Sequence, residues 1–298
     1  MKHSRVDFRK YIVISVWHAC NNDCTICMLA DVKNSMPVVD FPRFRNIIID
    51  IRNSGRFESI ILSGAEITTF DALEEYARFV SSLGYFRKLQ IQTNGRRLHD
   101  KEYLKRLIDS GVNEFFISLH GLEQTHDAIT RVPGSFRETM EGIGNLAAYP
   151  VKVISNSVLT KKNYADIPRL MSLLGHTQVS EFHLWNFYPM EQEDTRDLVV
   201  GMKDFMPLLS ELIAVIKPTG KTLVLKSFPD CIPADEPAIF DSVYPTALLP
   251  DVFWRKFDEN RFGACRHRAA CKDQACWGLS SAYVRKYGDE RNLLSPIP

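Results

Sequence analysis

Runs of consecutive apolar, mostly β-branched residues recur along the first two thirds of the chain, and segments of helical character separate them. Such uninterrupted runs predict strands that are buried on both faces. They lie at residues 11–16, 59–64, 88–93, 114–119, 151–158 and 181–187. Segments with apolar residues at helical spacing lie at 41–55, 71–84, 100–111, 135–149 and 163–175. The pattern therefore predicts strands and helices in alternation.

This alternation is typical of a parallel sheet with helices on its outer face. Right-handed crossovers in sequential order would curl the sheet toward a barrel. Six strand–helix units are two fewer than the eight of a closed TIM barrel. The expected fold is α/β, a partial (β/α)6 TIM-like barrel.

The pattern changes near residue 220. A further helix at 204–217 and a strand at 221–228 are predicted, and beyond them the chain is rich in proline, aromatic residues and cysteine, with little periodicity. We expect two regions: a barrel over residues 1–220 and a small irregular cysteine-rich domain over residues 221–298.

Composition restricts the classes of function. The 298 residues are 45% hydrophobic and 24% charged, which is typical of a globular protein with a sizeable core. A net charge of +1 gives no electrostatic indication of a nucleic-acid or membrane-surface partner. No apolar run approaches the ~20 residues of a membrane span, and the N-terminus lacks a signal peptide. We expect a cytoplasmic protein, in a reducing compartment where clustered cysteines indicate metal binding or catalysis.

The seven cysteines form two groups. Cys20, Cys24 and Cys27 follow the first predicted strand with the spacing C-x3-C-x2-C, and the other four lie in the last quarter of the chain. A disulfide would leave one of the first three unpaired, and a closed zinc site usually has four ligands. Three thiolates on one loop suit a metal centre that keeps one coordination position open. A zinc site or inert buried thiols remain the alternatives.

Polar residues follow the other predicted strands at the ends where parallel α/β folds bind ligands. These residues are Ser63, Gly64, Ala65 and Glu66 after the second strand, Thr93 and Asn94 after the third, Ser118 on the fourth and Asn156 on the fifth. Glu66 can accept from an ammonium group, and an ordinary exposed glutamate is the alternative. Thr93 and Asn94 precede Gly95 and could equally form a turn. The pattern predicts a site for a zwitterionic ligand beside the metal centre.

These motifs resemble those of the radical S-adenosylmethionine (SAM) enzymes. The family signature C-x3-C-x2-C is matched by Cys20, Cys24 and Cys27, and its GGE segment is matched with Ala65 in place of the second glycine. The resemblance extends over roughly residues 10–220. It implies that the three thiolates hold a [4Fe–4S] cluster whose fourth iron takes the amino and carboxylate groups of SAM.

The resemblance also implies an activity. Electrons from an external donor such as flavodoxin or ferredoxin would allow SAM to be cleaved to a 5′-deoxyadenosyl radical, which abstracts a hydrogen atom from the substrate. The rim residues would bind SAM, with the segment from Ser63 to Glu66 holding its methionine amino group. Arg131, in the segment TRVPGSF, is a candidate partner of the SAM carboxylate, and a solvated loop arginine is the alternative.

The second group of cysteines provides a full ligand set for another metal centre. It consists of Cys231, Cys265, Cys271 and Cys276. Such a region resembles the SPASM or twitch extensions of radical SAM proteins, although the gap between Cys231 and Cys265 is atypically long. We expect an auxiliary [4Fe–4S] cluster, with structural zinc as the alternative. If all four thiols are ligands, the cluster would assist an oxidation, either a dehydrogenation or a cross-linking. If Cys231 is free, it could donate a hydrogen atom in a radical epimerase.

The substrate class stays open between a sugar-like metabolite and a peptide. Only about ten residues precede the first strand, which weakens the expectation of a leader-peptide-binding domain. Trp185, Phe187 and Tyr188 could stack on a substrate, although core packing is the expected use of at least two. Two other classes of protein compete with the enzyme: an iron–sulfur electron carrier and a zinc-stabilised sugar- or nucleotide-binding protein.

Overall fold

A computed structural model describes residues 6–233, 235–260, 265–290 and 292–298. Within these ranges, nine strands form one sheet in which all strand pairs are parallel. The strands are β1 (Tyr11–Trp17), β2 (Ser59–Gly64), β3 (Lys88–Thr93), β4 (Glu114–Ser118), β5 (Lys152–Leu159), β6 (Val179–Asn186), β7 (Thr222–Lys226), β8 (Ala238–Phe240) and β9 (Thr246–Leu248). Their order in the sheet is β8-β7-β6-β5-β4-β3-β2-β1-β9.

The described residues also form α-helices, most of them between consecutive strands. They are α1 (Phe41–Ser54), α2 (Leu73–Ser82), α3 (Lys101–Asp109), α4 (Glu123–Thr130), α5 (Ser135–Leu146), α6 (Ile167–Gly175), α7 (Met202–Ile216), α8 (Asp251–Phe257) and α9 (Ser281–Tyr287). The apolar faces of α1 to α7 pack with alternate residues of the strands into the main core. The predicted α/β fold is confirmed, and β2 and β3 coincide with their predicted spans.

The connection between β8 and β9 requires the sheet to curl into a barrel. These strands lie at opposite edges of the sheet, yet only residues 241–245 separate them. A flat sheet of nine strands would hold its edge strands about 38 Å apart, at about 4.8 Å per strand. Six Cα-to-Cα steps, from Phe240 to Thr246, span at most about 22 Å. The two edges must therefore approach each other, and residues 241–245 bridge the gap; we call this segment the seam bridge.

Buried side chains close the barrel at the N-terminal ends of its strands. A small apolar cluster that includes Phe8, Val13 and Phe116 fills the interior. Beside it Lys152 Nζ contacts Glu181 Oε1 at 2.5 Å, and Glu181 Oε2 contacts His183 Nε2 at 3.1 Å. This end is filled, so a ligand must enter from the C-terminal ends of the strands.

The C-terminal region is part of the sheet as well as the carrier of the second cysteine group. Strands β7 and β8 extend the edge beyond β6, and β9 pairs with β1. The division at residues 220 and 221 stays a prediction about where the cysteine-rich region begins. In the described part of the chain, no helix has both the length and the apolar character needed to cross a membrane.

Candidate active site

The three N-terminal cysteines lie on the loop that leaves the C-terminal end of β1, and each is half-buried. Two backbone hydrogen bonds dock this loop on the end of α4: Asp23 N donates to Thr130 O at 3.0 Å, and Thr25 N donates to Ile129 O at 2.8 Å. The loop is therefore held at the open end of the barrel.

The chemistry of these thiols fits a positively charged metal centre. Burial raises the pKa of Cys20 to about 11 and that of Cys24 to about 12, and it also raises the pKa of Cys27. Three thiolates at this position are unfavourable until a metal compensates their charge, and a coordinated thiol is deprotonated outright. Among the described residues no three Cys, His, Asp or Glu side chains converge closely enough for a single ion.

Arg96, just after β3, braces the cysteine loop. Its Nη1 donates to Asn21 O at 2.6 Å and to Asn22 Oδ1 at 2.9 Å, while its Nε contacts Glu138 Oε2 at 2.5 Å. Asn94 Nδ2 donates to Asn21 Oδ1 at 2.6 Å. The ends of β3 and α5 thereby fix the backbone between the first two cysteines.

Glu66 is buried, with 1% of its surface exposed, so the alternative of an ordinary exposed glutamate is wrong. Its Oε1 accepts from Thr68 N at 3.0 Å, Thr68 Oγ1 at 2.6 Å and Thr93 Oγ1 at 2.6 Å, and its Oε2 accepts from Asn94 N at 2.6 Å. Burial raises the pKa of Glu66, and these four donors oppose the rise. The carboxylate thus joins the ends of β2 and β3, and Oε2, with one donor against three on Oε1, is the oxygen better placed to accept from an ammonium group.

Contacts within the protein, and not only a ligand, require small residues after β2. A Cβ on Gly64 would lie 1.7 Å from the carbonyl oxygen of Trp17. Ala65 N donates to that same oxygen at 2.9 Å, and Glu66 N donates to Ala19 O at 3.0 Å. This segment is therefore hydrogen-bonded to the first residues of the cysteine loop, and the absent side chain at Gly64 permits that contact.

Ser118 and Asn156 are direct neighbours across β4 and β5 at the same end of the barrel. Within the described residues, Asn156 Oδ1 is buried and has no hydrogen-bond partner, and the same holds for Ser15 Oγ and Trp185 Nε1. Buried polar atoms without partners are costly unless a ligand or water satisfies them. The strand ends therefore offer unsatisfied donors and acceptors to a polar ligand.

Arg131 lies beside the cysteine loop rather than on the strand-end rim. It ends α4 with a left-handed backbone, at φ 58°. Its side chain is 59% exposed, and Nη1 contacts Asp23 Oδ2 at 3.0 Å. Its proposed contact with the SAM carboxylate stays a prediction, and that contact would compete with Asp23.

Comparison with known proteins decides the family. The sequence model of the radical SAM superfamily matches residues 14–174, more than half of the chain, and the match contains the cysteine loop and β1 to β5 almost entirely. The chain belongs to the radical SAM superfamily. Its cysteine-rich C-terminal region fits a SPASM-like extension.

Individual radical SAM relatives are distant. A tungsten-containing aldehyde ferredoxin oxidoreductase cofactor-modifying protein of Pyrococcus furiosus is 27% identical over 215 residues, which are 69% of this chain and 60% of that protein. A probable GTP 3′,8-cyclase of Saccharolobus islandicus is 27% identical over 197 residues, 62% of each. The structure of Streptococcus suis SuiB bound to precursor peptide SuiA matches with a TM-score of 0.60 at 18% identity, over 72% of this chain and 48% of that one. The chain thus spans about three fifths of the curated relatives' length, and the likeness to SuiB supports the fold.

Radical SAM proteins use a [4Fe–4S] cluster and SAM, and the residues present here fit both. Cys20, Cys24 and Cys27 would hold the cluster, which supplies the electron that cleaves SAM. Glu66 and Asn156 offer acceptors toward the open end of the barrel. The apolar cluster inside the barrel closes the N-terminal side of the site to water.

The structure also gathers the four C-terminal cysteines of this radical SAM protein. Cys231 is close enough to Cys265 and Cys271 for their charges to raise its pKa, although burial is the larger cause. Cys276 Sγ accepts from the backbone N–H of Asp230, the residue before Cys231, at 3.4 Å. Chain segments more than thirty residues apart in sequence therefore bring all four thiols to one region.

An aromatic chain joins this cysteine region to the barrel interior. Trp185, on the inner face of β6, packs edge-on against Tyr244 of the seam bridge, with ring centroids 5.5 Å apart. Tyr244 in turn packs on Trp277, with centroids 4.1 Å apart, and Trp277 follows Cys276. Phe187 and Tyr188 are buried in the core, as expected for at least two of the three aromatic residues.

Sequence reasoning missed Asn22, Arg96, Tyr244 and Trp277. Asn22 lies between two signature cysteines, and Trp277 adjoins Cys276, so adjacency to a ligand was the available signal. Arg96 and Tyr244 are adjacent to no cysteine. Their contacts join residues distant in sequence, for example 74 positions for Arg96 and Asn22, which no local pattern encodes.

Proposed function

We propose that the protein is a radical SAM enzyme in which an auxiliary [4Fe–4S] cluster assists oxidation of the substrate. The 5′-deoxyadenosyl radical would remove a hydrogen atom from the substrate in the barrel. The remaining electron would pass to the auxiliary cluster as the substrate loses a proton, in a dehydrogenation or a cross-linking.

The observation that carries this proposal is the aromatic chain between the barrel interior and the C-terminal cysteines. Trp185, Tyr244 and Trp277 make successive ring contacts from the inner face of β6 to the residue after Cys276. Closely packed aromatic rings provide a short path for a single electron between the substrate and the second cysteine group. A structural zinc site would have no use for such a path.

The surroundings of Cys231 favour a ligand role over hydrogen-atom donation. Burial raises the pKa of Cys231, and the charges of Cys265 and Cys271 raise it further, so these thiols lie in its surroundings. A thiol among other thiols suits a shared cluster, whereas a hydrogen donor must face the substrate. The epimerase therefore remains the second candidate.

The substrate is proposed to be polar, either a sugar-like metabolite or a peptide. The unpaired atoms of Ser15, Asn156 and Trp185 would bind its hydroxyl or amide groups. Among the relatives are a cofactor-modifying protein and a probable GTP 3′,8-cyclase, and SuiB was determined with a precursor peptide, so similar proteins are associated with small molecules as well as peptides. We further propose an external donor such as flavodoxin or ferredoxin.

Iron and sulfide analysis of the anaerobically reconstituted protein tests the proposal. We compare wild type with Cys20→Ala/Cys24→Ala/Cys27→Ala and with Cys265→Ala/Cys271→Ala/Cys276→Ala. Two [4Fe–4S] clusters predict about eight irons in the wild type and about four in each triple variant. Dithionite and SAM should then yield 5′-deoxyadenosine with the wild type and with the C-terminal variant only.

The outcomes separate the alternatives. About four irons in the wild type together with bound zinc would make the C-terminal site structural and contradict the oxidative role. Cys231→Ala distinguishes the oxidase from the epimerase. Loss of the second cluster supports the oxidase, and an intact second cluster supports the epimerase. A wild type without iron would contradict the enzyme altogether.

A further inference from the structure

Asn22 contacts two of the three signature cysteines. It is buried, with 8% of its surface exposed, and its backbone N–H donates to Cys20 Sγ at 3.3 Å. Its side chain also lies close enough to Cys24 to lower the pKa of that thiol, although burial acts in the opposite direction and is the larger effect. One residue thus interacts with two sulfurs of the loop.

Arg96 determines which way the Asn22 amide faces. A carboxamide carries an acceptor oxygen on one side and two N–H donors on the other. Arg96 Nη1 donates to Asn22 Oδ1 at 2.9 Å, so the oxygen is held by the guanidinium. The NH2 group, and not the oxygen, is therefore the side of the amide that can face the sulfur of Cys24 and donate to it.

The guanidinium is itself held rigidly. The Arg96 side chain is 15% exposed, and its Nε contacts Glu138 Oε2 at 2.5 Å. The same Nη1 that contacts Asn22 also donates to Asn21 O at 2.6 Å. Two contacts besides the one with Asn22 therefore hold the guanidinium in place.

We propose that Arg96 is a positioning residue that, through Asn22, directs two N–H donors at the sulfurs of Cys20 and Cys24 and thereby raises the reduction potential of the bound cluster. The inference rests on the proposed cluster binding by the three N-terminal cysteines. Nothing in the motif C-x3-C-x2-C requires an arginine 69 positions after its last cysteine.

The physical reason is electrostatic. Reduction adds negative charge to the cluster and its thiolates, and hydrogen bonds to the sulfurs stabilise that charge. Outer residues that orient such donors tune a metal site even though they do not touch the metal. Loss of the orientation should therefore make the cluster harder to reduce.

A redox titration monitored by electron paramagnetic resonance tests this on the reconstituted enzyme in the presence of SAM. Only the signal that SAM perturbs is followed, because it belongs to the N-terminal cluster. We expect Arg96→Gln and Asn22→Ala each to shift its midpoint potential to a more negative value. Arg96→Lys keeps the charge without the planar fork and should shift it less. Arg106→Gln, at an exposed arginine paired with Glu74, is the matched control and should leave the potential unchanged.

The double variant Arg96→Gln/Asn22→Ala separates positioning from a direct charge effect. If Arg96 acts through Asn22, the shift of the double variant should be smaller than the sum of the two single shifts. Hydrogen exchange of the cluster-free protein gives a second readout, in which Arg96→Gln should accelerate exchange over residues 20–27.

Three results would overturn the inference: an unchanged potential in folded Arg96→Gln, additive shifts in the double variant, or unaltered exchange of the loop. If Arg96→Gln fails to fold, Asn22→Ala and Arg96→Lys carry the same test. A wild type with no SAM-sensitive cluster signal would instead contradict the proposed function, so the two failures are distinguishable.

Discussion

Gly64 and Glu66 lie in the segment that the sequence predicts as a ligand site, and each also has a structural task. The backbone of Gly64 packs against the carbonyl of Trp17, and the carboxylate of Glu66 accepts from groups after β2 and β3. The sequence identifies Glu66 as an acceptor by its position after a strand. It cannot reveal that two of its donors, Thr93 and Asn94, lie 27 and 28 positions away.

At the residue scale, Gly64→Ala is expected to disrupt the junction between β2 and the cysteine loop. The new Cβ would lie 1.7 Å from Trp17 O, a backbone atom that cannot turn aside, so the strand or the loop must shift. We expect a loss of about 3 kcal/mol or more in the free energy of unfolding, at the upper end of overpacking costs. Urea denaturation of the cluster-free protein measures it.

Gly84→Ala is the control for this variant. Gly84 has a positive φ, as Gly64 does (59° against 156°), but a Cβ there would meet nothing within 4 Å. Gly84→Ala should therefore lower the free energy of unfolding only by the conformational penalty of about 1–2 kcal/mol. Equal losses in the two variants would show that the contact with Trp17 is unimportant.

At the scale of elements, the sequence predicts the strands that are buried on both faces and misses the short strands and the short helix. Strands β2 and β3 were predictable to the residue because apolar runs such as IIL at 60–62 pack inside and outside the barrel. Strands β8 and β9 have three residues each, too few for a periodic pattern, and were not predicted. Helix α4 has eight residues and was also missed. Lys152 in β5 and Glu181 in β6 form an ion pair that no pattern in the sequence indicates.

That pairing supports a prediction for the closed end of the barrel. The side chains of Lys152 and Glu181 are each 4% exposed, and Glu181 also accepts from Val6 N at 3.0 Å. Lys152→Met should cost about 3–5 kcal/mol, because it leaves a buried carboxylate without its cation. Thermal or urea unfolding measures the loss.

The double variant Lys152→Met/Glu181→Leu should be more stable than Lys152→Met alone, because it removes the uncompensated charge. Lys105→Met, at an exposed ion pair with Asp109, is the surface control and should cost at most about 1 kcal/mol. A double variant less stable than the single one would mean that Glu181 is not destabilised by losing Lys152.

At the scale of the whole molecule, the cysteine-rich region also completes the barrel. It provides β7 and β8 at one edge of the sheet and β9 at the other, and the seam bridge joins them. Lys226 on β7 contacts Asp241 Oδ2 at 3.1 Å and so ties that strand to the bridge. A local pattern predicts β7, but none predicts that β9 pairs with β1, because that pairing joins distant parts of the chain.

A chain ending at residue 220 is therefore expected to aggregate or to lose cooperative unfolding. It would lack three strands and would leave the edges of β1 and β6 unpaired, and exposed edges promote association. Size-exclusion chromatography and urea unfolding, both on cluster-free protein, measure the two effects. The 298-residue chain with all four C-terminal cysteines changed to alanine keeps the strands and should elute as the unsubstituted chain does. A monomeric, cooperatively folded 1–220 chain would contradict this role of the C-terminal region.

The seam bridge also has a consequence for biosynthesis. Ile12 lies opposite Thr246 in the sheet, so one edge of the first strand has no partner until most of the polypeptide has left the ribosome. At a translation rate of about 5–20 residues per second, that wait is roughly ten to fifty seconds. During this interval the unpaired edge of β1 is available to other chains. The interval ends when β9 leaves the ribosome and can pair with β1.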